Sequence, residues 1–298
     1  MAPSTARLSP LTVKGPVLVT GASSGIGLET ALYLAAQGYT VCATMRDLSR
    51  RAALDREARR RNLLVQVQAL DVTDPPSIEA VVRSLVGRYG GIYGLVNNAG
   101  FQLQGYFEDL TDAEIRTLFE VNLFGTMAVV RAVLPGMRAA RQGRVVIVSS
   151  VGGLLGSVAL SAYCASKHAL EGFGEGLSLE VCALGIQVTL VEPAIVQTEI
   201  WRGNRRVARG ALDPASPYYE WFHAVERLTD RMVATAPTTS LDVAHAVHRA
   251  LAAGRPRLRY LVGRRAALLL ILRRYVPAAL FERIYFGEVI RRVTGTRV

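Results

Sequence analysis

A tyrosine and a lysine stand four residues apart, at Tyr163 and Lys167. In a helix this spacing places both side chains on one face, so that they can share one site. An ammonium about 4 Å from a phenol, at an effective dielectric constant near 20, stabilises the phenolate by roughly 4 kcal/mol, or about three pKa units. The pair therefore predicts a tyrosine that acts as general acid or base near neutral pH.

The lysine itself is unusual for this chain, because Lys14 and Lys167 are the two lysines among 35 basic residues. A compact ammonium can bond a ribose hydroxyl and lie beneath a phenol, which a planar guanidinium cannot do. Composition thus favours a chemical role for Lys167 over a surface charge.

A serine, Ser150, follows the apolar run Val145-Val-Ile-Val148 and precedes the helix that carries Tyr163. If that run is a buried strand, Ser150 lies at the edge of a sheet where ligands bind. Its hydroxyl can then donate to a substrate carbonyl oxygen and hold that oxygen near Tyr163. Ser149 is the alternative, but strand alternation turns it to the other face.

Three glycines lie between an apolar run ending at Thr20 and an amphipathic helix. They let the backbone turn tightly and approach a pyrophosphate, which the amides and dipole of the helix N-terminus bind. Gly25 and Gly27 could instead serve close helix–strand packing alone. The residues predicted to bind the cofactor here are Gly21, Ser23, Ser24, Gly25, Ile26 and Gly27.

The end of the second apolar run indicates which dinucleotide is bound. An NAD site would usually place an acid there to accept from the adenosine ribose, and this position is Met45, followed by Arg46. The guanidinium suits a 2'-phosphate, so NADP(H) is favoured over NAD(H). Asp47 leaves NAD(H) open, because a shift of one residue would bring a carboxylate to the ribose.

These motifs resemble the short-chain dehydrogenase/reductase family over about residues 15–265. The resemblance rests on Thr20-Gly-x-x-x-Gly-Ile-Gly27, Asn97-Asn-Ala-Gly100, Asn122, Ser150 and Tyr163-x-x-x-Lys167, in this order. It implies hydride transfer between a nicotinamide and a carbonyl or alcohol carbon, with Asn122, Ser150, Tyr163 and Lys167 as the catalytic set. Asn122 would hold a water in the proton relay to Lys167, although it could instead be a helix residue that bonds its own backbone.

The resemblance also implies further cofactor contacts. Asp71 and Val72 would meet adenine, Asn98, Ala99 and Gly100 would line the adenosine ribose, and Tyr163, Lys167, Pro193, Val196 and Thr198 would lie at the nicotinamide end. The family's Pro-Gly after the sixth strand is Pro193-Ala194 here, which puts the local backbone path in doubt.

Within the family, the residues around Ser150 and Tyr163 and the segment Leu258-Arg-Tyr260 resemble the hydroxysteroid and retinol dehydrogenase branch. A bulky apolar substrate is thus expected, of the steroid, retinoid or long-chain ketone kind. An aromatic-rich segment, residues 198–237, is predicted to be a helical substrate lid. The expected substrate contacts are Ser150, Ser157, Leu160, Trp201, Tyr218 and Trp221, although the aromatic residues could simply pack a satellite core.

Short apolar runs alternate with longer helical patterns, which predicts an α/β fold. The expected architecture for residues 1–298 is one Rossmann-type domain: a doubly wound, seven-stranded parallel sheet with helices on both faces. Its strands are expected at Val17–Thr20, Thr40–Thr44, Val65–Leu70, Ile92–Val96, Arg144–Ser149, Gln187–Val191 and Leu258–Val262. Its helices are expected at Ile26–Gln37, Ser77–Tyr89, Asp112–Ala140, Ser161–Ala183 and Leu241–Ala253.

The net charge of +11 is concentrated near the C-terminus, where residues 255–298 hold eleven arginines and two glutamates. The nearly neutral body carries no basic stripe, which argues against nucleic acid as a partner. The three cysteines are scattered, which predicts a cytoplasmic setting. Residues 1–14 lack a continuous apolar core, so they are predicted to be a flexible arm. No metal site is expected, since His245 and His248 lack a third ligand.

The basic C-terminal extension, residues 264–298, contains an apolar run too short to span a bilayer. Arginine pairs flank that run, so the extension could lie on an anionic membrane surface, or it could pack over the substrate cleft or a subunit. A homodimer or homotetramer is what the family implies. A non-catalytic NADP(H)-binding sensor or scaffold is the alternative function, and an epimerase or dehydratase of nucleotide sugars is disfavoured by the apolar C-terminal region.

Overall fold

A parallel sheet lies at the centre of the computed structural model, which describes residues 14–197 and 205–295. The strands of these residues are β1 Lys14–Val19, β2 Tyr39–Met45, β3 Gln66–Ala69, β4 Gly94–Asn97, β5 Gln102–Gln104, β6 Gly143–Val148, β7 Ile186–Pro193, β8 Val196–Gln197, β9 Arg205–Val207, β10 Thr238–Thr239 and β11 Arg259–Val262. Seven of them form one sheet in the order β11-β7-β6-β4-β1-β2-β3, and every pairing in it is parallel. The short pairs β5–β9 and β8–β10 lie outside it.

Helices cover both faces of this sheet. They are α1 Gly25–Ala36, α2 Ala52–Arg60, α3 Pro75–Tyr89, α4 Asp112–Phe119, α5 Gly125–Ala140, α6 Ser161–Val181, α7 Tyr219–Ala234, α8 Ser240–Ala252, α9 Arg264–Tyr275 and α10 Ala278–Thr294. Alternate residues of β1 enter different cores: Val17 and Val19 pack with α1 and α8, whereas Leu18 packs with α3, α5 and α6. Burial on both faces explains why most strands are continuously apolar, whereas the edge strand β3 contains two glutamines.

The predicted seven-stranded Rossmann fold is confirmed, with strand boundaries that differ by a few residues. β1 begins at Lys14, which the sequence pattern assigns to the flexible arm. Helix α2 was not expected from the sequence. The expected helix Asp112–Ala140 is divided into α4, a π-helical turn Glu120–Phe124 and α5.

The stretch Asp112–Ala140 is long and apolar enough to cross a membrane, with a mean hydropathy of 1.4 over its most apolar window. Its apolar side chains nevertheless serve the protein core. Val129, Val133 and Met137 are buried against the sheet, and Leu118 belongs to a third cluster with Phe222 of α7. Length and composition here reflect a core helix.

The predicted lid begins outside the described residues, because 198–204 are not among them and include Thr198 and Trp201. From residue 205 onward the segment forms β9 beside β5, and then α7. Phe222 and Val225 of α7 are buried in the third cluster. The described part therefore contains a satellite core of its own.

Candidate active site

Residues that follow β4 hold the loop between β1 and α1 in place through hydrogen bonds. The Thr20 hydroxyl accepts hydrogen bonds from the amides of Asn98 and Ala99, each at 3.0 Å. The Asn98 side-chain amide donates to the carbonyls of Thr20 and Gly21 at 3.0 and 3.1 Å. Gly21 has a φ of +68°, and a Cβ on it would lie 2.8 Å from the Cα of Ala99, so this position requires glycine.

The N-terminus of α1 opens into a large cavity. Ser24 precedes the helix without a side-chain cap, and its first turn holds no acidic residue, so the first amides and the positive end of the dipole face an incoming anion. Gly21, Ser23, Ser24 and Ile26 line this cavity. Gly25 and Gly27 do not line it; a Cβ on Gly27 would overlap the Gly21 carbonyl and the Asn98 side chain. The cradle fits a dinucleotide pyrophosphate.

Arginines mark the end of the cavity beside β2. Met45 is buried, whereas Arg46 is exposed and lines the cavity together with Arg50. Asp47 lines the cavity as well, but its carboxylate accepts from the amide and the hydroxyl of Ser49 at 2.9 and 2.8 Å. These bonds lower the pKa of Asp47 and cap the short 3-10 helix Leu48–Arg51.

The residues implied for adenosine binding also line this end of the cavity. Asp71 and Val72 line the cavity, as do Asn98, Ala99 and Gly100. One carboxylate oxygen of Asp71 accepts from the amide and hydroxyl of Thr73 at 2.9 and 2.8 Å. These bonds fix the backbone after β3 where it borders the cavity.

Ser150 and Tyr163 meet where the carboxyl end of β6 approaches the first turn of α6. The Ser150 Oγ accepts from the Gly152 amide at 3.0 Å, which leaves its proton free to be donated, and its side chain hydrogen-bonds Tyr163. Burial raises the pKa of Tyr163 to about 12, and the bond from Ser150 opposes this rise. The phenol is therefore protonated at neutral pH and can serve as a proton donor.

Lys167 lies one turn beyond Tyr163 and is also buried. Its Nζ donates to the Val148 carbonyl at 3.0 Å and lies 5.9 Å from the centroid of the Tyr163 ring. Burial lowers the pKa of Lys167 to about 8, and the nearby Glu171 carboxylate opposes this effect. The expected lowering of the phenol pKa is therefore not found, because burial is the largest effect on Tyr163.

Asn122 lies in the π-helical turn between α4 and α5, and it does not line the cavity. Its side-chain amide donates to the Phe101 carbonyl at 3.0 Å and to Ser166 Oγ at 3.2 Å, and its Oδ1 accepts from the Phe101 amide at 3.0 Å. Both amide protons are thus used within the protein. Asn122 ties the segment after β4 to the helix that carries Tyr163.

The cavity has a volume of about 870 Å³, and its remaining wall is largely apolar. Ser157 and Leu160 contribute to it, as expected. Helix α7 and the C-terminal helices also contribute lining residues: Thr229, Met232, Ala266, Leu269, Leu270 and Tyr285. The C-terminal extension therefore packs over the cleft, one of the three placements left open by the sequence.

The geometry of the glycine cradle, the serine, tyrosine and lysine can now be set beside known proteins. The model of the short chain dehydrogenase family matches residues 16–208. This chain belongs to the short-chain dehydrogenase family. It is 37% identical to retinol dehydrogenase 8 of Bos taurus over 273 residues, which cover 88% of this chain and 86% of that protein. Human 17-beta-hydroxysteroid dehydrogenase type 1 is 34% identical, with 92% and 86% covered.

Solved structures of short-chain dehydrogenases share this fold. One from Streptomyces avermitilis has a TM-score of 0.76 and 35% identity, with 94% of this chain and 98% of that chain covered. A variant of the actinorhodin polyketide ketoreductase in complex with NADPH has a TM-score of 0.71 and 33% identity, with 83% and 95% covered. As a member of this family the present chain is an oxidoreductase with a site for a nicotinamide cofactor and a small carbonyl or alcohol substrate.

Two residues predicted as substrate contacts of this short-chain dehydrogenase lie outside the cavity lining. Tyr218 and Trp221 do not line the cavity, because they pack with Tyr106 in an aromatic cluster. Tyr218 stacks on Tyr106 with 4.7 Å between ring centroids and donates to Glu108 at 2.6 Å. The cluster is partly exposed, since Trp221 is 40% exposed, so the substrate contact of these two residues stays a prediction. Trp201 lies outside the described residues.

Sequence reasoning missed Arg50, and it did not single out Leu269, Leu270 or Tyr285 as cavity residues. A signal existed for Arg50, since it stands four residues after Arg46. For the others no local signal exists, because their position depends on how the C-terminal helices fold back.

At the nicotinamide end, Pro193, Ala194 and Val196 line the cavity, while Thr198 lies outside the described residues. The departure from glycine at Ala194 is accommodated by a glycine opposite it. Gly263 has a φ of +131°, and a Cβ there would lie 2.6 Å from that of Ala194. The Ala194 amide donates to the Val262 carbonyl at 2.8 Å, so the backbone stays bonded to β11.

Proposed function

We propose that this short-chain dehydrogenase transfers a hydride between NADP(H) and the carbonyl or secondary alcohol carbon of a bulky apolar substrate, such as a steroid, a retinoid or a long-chain ketone. The observation that carries this proposal is the cavity itself. It brings Arg46 and Arg50, the Ser150–Tyr163 pair, and the apolar residues Leu269 and Leu270 to one continuous space. Such a space has room for a dinucleotide and an apolar molecule beside the acid.

In this proposal NADPH, when bound, supplies the hydride. Ser150 donates to the substrate carbonyl oxygen and holds it, while Tyr163 gives its phenolic proton to the same oxygen. The carbonyl thereby becomes an alcohol, and oxidation reverses these transfers. Lys167 places a positive charge beneath the phenol, which stabilises the phenolate left after proton transfer. Asn122 holds the backbone around this set in place.

The proposed preference for NADP(H) is supported by the charges beside β2. Arg46 and Arg50 both border the cavity, and the nearest carboxylate, Asp47, is bound to Ser49. An adenosine 2'-phosphate would thus meet two guanidinium groups, while the carboxylate of Asp47 is partly satisfied by Ser49. The NADPH-bound ketoreductase is one solved neighbour in support, although other solved neighbours hold NAD.

The proposed substrate class is supported by the apolar lining from the C-terminal helices. It is also supported by the similarity to a retinol dehydrogenase and a hydroxysteroid dehydrogenase. Burial of a hydrocarbon skeleton against Leu269, Leu270 and Met232 contributes about 25 cal/mol for each Å² removed from water. The lid role of residues 198–237 rests on Thr229, Met232, Ala236 and Pro237, which border this part of the cavity.

We also propose that the C-terminal helices contact an anionic membrane surface. Helix α9 is apolar on two faces: Leu269 and Leu270 line the cavity, while Leu268 and Ile271 are 60% and 54% exposed. Tyr275 and Ile284 are also exposed, and arginine pairs end α9 and α10. An exposed apolar face flanked by arginines suits a lipid headgroup region. A substrate dissolved in lipid would then meet the helix that covers the cavity.

A homodimer or homotetramer is proposed as well. Phe124, which precedes α5, and Leu179 on α6 are 50% and 75% exposed, so an apolar surface is available on these two long helices. Burial of such side chains between subunits would stabilise the assembly. Sedimentation of Leu179→Glu against the wild type would test it, because the variant should shift toward the monomer.

A substrate screen tests the proposed function most directly. Purified protein should be assayed with NADPH and NADH against ketosteroids, retinal, long-chain ketones and keto-esters, with Tyr163→Phe as the control. We expect turnover with NADPH on at least one apolar carbonyl, and loss of that turnover in the variant. Tight NADPH binding without turnover on any class would favour the non-catalytic sensor instead. Turnover undiminished in Tyr163→Phe would contradict the mechanism.

A further inference from the structure

Two buried carboxyl groups lie behind the catalytic lysine, and neither lines the cavity. Glu171 is one helical turn after Lys167 on α6, and Glu192 lies near the end of β7. Their residues are 6% and 2% exposed, respectively. Buried acids are rare unless they are paired, so their position beside a buried lysine calls for a physical reason.

A shared arginine and burial define the charge of this carboxyl pair, Glu171 and Glu192. Two buried carboxylates beside one guanidinium repel each other, so the protonated form of one of them is favoured. Arg259 Nε lies 3.2 Å from Glu171 Oε2 and 3.3 Å from Glu192 Oε1. The same guanidinium also pairs with Glu175 at 2.7 Å on the exposed side. The buried pair is thus left with a single negative charge beside one arginine.

The proton belongs to the more deeply buried partner. Burial first, and then the charge of Glu171, raise the pKa of Glu192 to about 8, so Glu192 is the neutral member at pH 7. Glu171 is then the carboxylate one helical turn from Lys167, and its charge favours the ammonium. A Cβ on Gly153 would lie 3.0 Å from Glu171 Cγ and 2.9 Å from the Lys167 carbonyl oxygen. Such tight packing holds the Glu171 side chain in place.

Lys167 needs a nearby anion to stay charged. Its Nζ has the neutral Val148 carbonyl as its hydrogen-bond partner, and burial disfavours the ammonium. The ionisable groups around it are Tyr163 and Glu171 on α6, Glu192 on β7 and, beyond the pair, Arg259 on β11 and Glu175. With Tyr163 and Glu192 both protonated, Glu171 is the adjacent negative charge among the described residues.

We propose that Glu171 is a positioning residue whose carboxylate, paired with Arg259 and left charged by the proton on Glu192, keeps Lys167 in its ammonium form at working pH. This inference rests on the proposed hydride transfer only for its effect on rate. The protonation of Lys167 itself can be measured without substrate, so the two proposals can fail separately.

The scarcity of lysine makes that measurement direct. Protein produced with ¹³C,¹⁵N-lysine carries two labelled side chains, and Lys14→Arg leaves the resonance of Lys167 alone. Titration by NMR then gives the pKa of Lys167 in the wild type, Glu171→Gln, Glu192→Gln and Glu175→Gln. We expect Glu171→Gln to lower this pKa by about one unit. Glu192→Gln mimics the protonated acid, and Glu175→Gln removes an exposed charge; each should change it by less than about 0.3 units.

An unchanged Lys167 pKa in Glu171→Gln would overturn the proposal, and so would an equal shift in Glu192→Gln. If Glu171→Gln does not fold, Glu192→Gln still tests the proposal. A shift of the Lys167 pKa by a full unit in that variant would show that the negative charge lies on Glu192 rather than on Glu171. In activity assays the alkaline limb of kcat/KM for reduction should move to lower pH in Glu171→Gln and stay in place in Glu175→Gln. A Lys167 shift in a protein without turnover would leave this inference standing and remove the proposed function alone.

Discussion

The carboxylate of Asp47 is bound by Ser49, whose amide and hydroxyl donate to it at 2.9 and 2.8 Å. The bond turns the acid toward the first turn of a short helix at the point where an NAD site would present a carboxylate to the ribose. Arg46 and Arg50 border the cavity on either side of it in sequence. Cofactor preference can therefore be tested at these residues.

Replacing both arginines should weaken NADPH binding selectively. Charge-assisted hydrogen bonds to a phosphate contribute about 1.5–3 kcal/mol each, so Arg46→Ala with Arg50→Ala should raise the KM for NADPH by about 100-fold or more. The KM for NADH should change less than about threefold. Steady-state kinetics with both cofactors provide the measurement. Arg51→Ala is the matched control, since Arg51 pairs with Asp55 and does not line the cavity; equal losses for both cofactors would contradict the assignment.

The two adjacent serines give a test of strand alternation. Ser150→Ala removes the donor that holds the substrate oxygen and should lower kcat by about 10²-fold to 10³-fold. Ser149 also lines the cavity, but its Oγ lies close to Gly153 and Glu171, so Ser149→Ala should retain activity within about threefold. Both variants should bind NADPH like the wild type in a fluorescence titration. A greater loss of kcat in Ser149→Ala than in Ser150→Ala would assign the donor role to Ser149 instead.

Reduction and oxidation should respond to pH in opposite ways. Burial raises the pKa of Tyr163 to about 12, so the phenol keeps its proton at pH 7 and is ready to act as an acid. Reduction should thus be nearly constant near neutrality and fall above about pH 8, where burial lets Lys167 lose its proton. Oxidation requires the phenolate and should rise with pH, by up to about tenfold per unit. Initial rates in both directions across pH 6–10 check this; reduction that increases with pH would contradict it.

Substitutions of Trp221 on α7 and Leu269 on α9 should separate an effect on stability from an effect on substrate specificity. Trp221→Ala disturbs the cluster with Tyr106 and Tyr218 and should lower the free energy of unfolding by about 1–2 kcal/mol without changing the KM of an apolar substrate. Leu269→Ala enlarges the cavity and should raise that KM by about 10-fold. Thermal unfolding and kinetics on one substrate measure both. A KM effect confined to Trp221→Ala would restore the original lid assignment.

Membrane contact should depend on charge and on the outer face of α9. The wild type should sediment with vesicles that contain anionic phosphatidylserine, and binding should weaken with added salt and in neutral vesicles. Leu268→Gln with Ile271→Gln should reduce binding by about 10-fold or more. Leu64→Gln is the control, because Leu64 is 94% exposed on the loop before β3. Equal sedimentation with and without anionic vesicles would exclude the proposed contact.

Residue spacing was sufficient to predict those features that depend on residues close together in the sequence. The separation of Tyr163 and Lys167 by four residues puts them on one helix face whatever surrounds the helix, and the glycines after β1 can adopt their turn because they lack a Cβ. The seven strands follow from apolar runs that are buried on both sides. These features explain why the fold, the cofactor cradle and the catalytic set could be predicted from the sequence.

Tertiary structure alone decided which side chains reach the shared cavity and what charge they carry there. Tyr218 and Trp221 have the composition of a substrate wall, yet their helix turns them toward Tyr106, while Leu269, Leu270 and Tyr285 fold back over the cleft. The burial that raises the pKa of Tyr163 and lowers that of Lys167, and the carboxyl pair behind them, depend on elements far apart in the chain. Sequence patterns determine the faces of single elements, whereas packing between elements determines desolvation and contact.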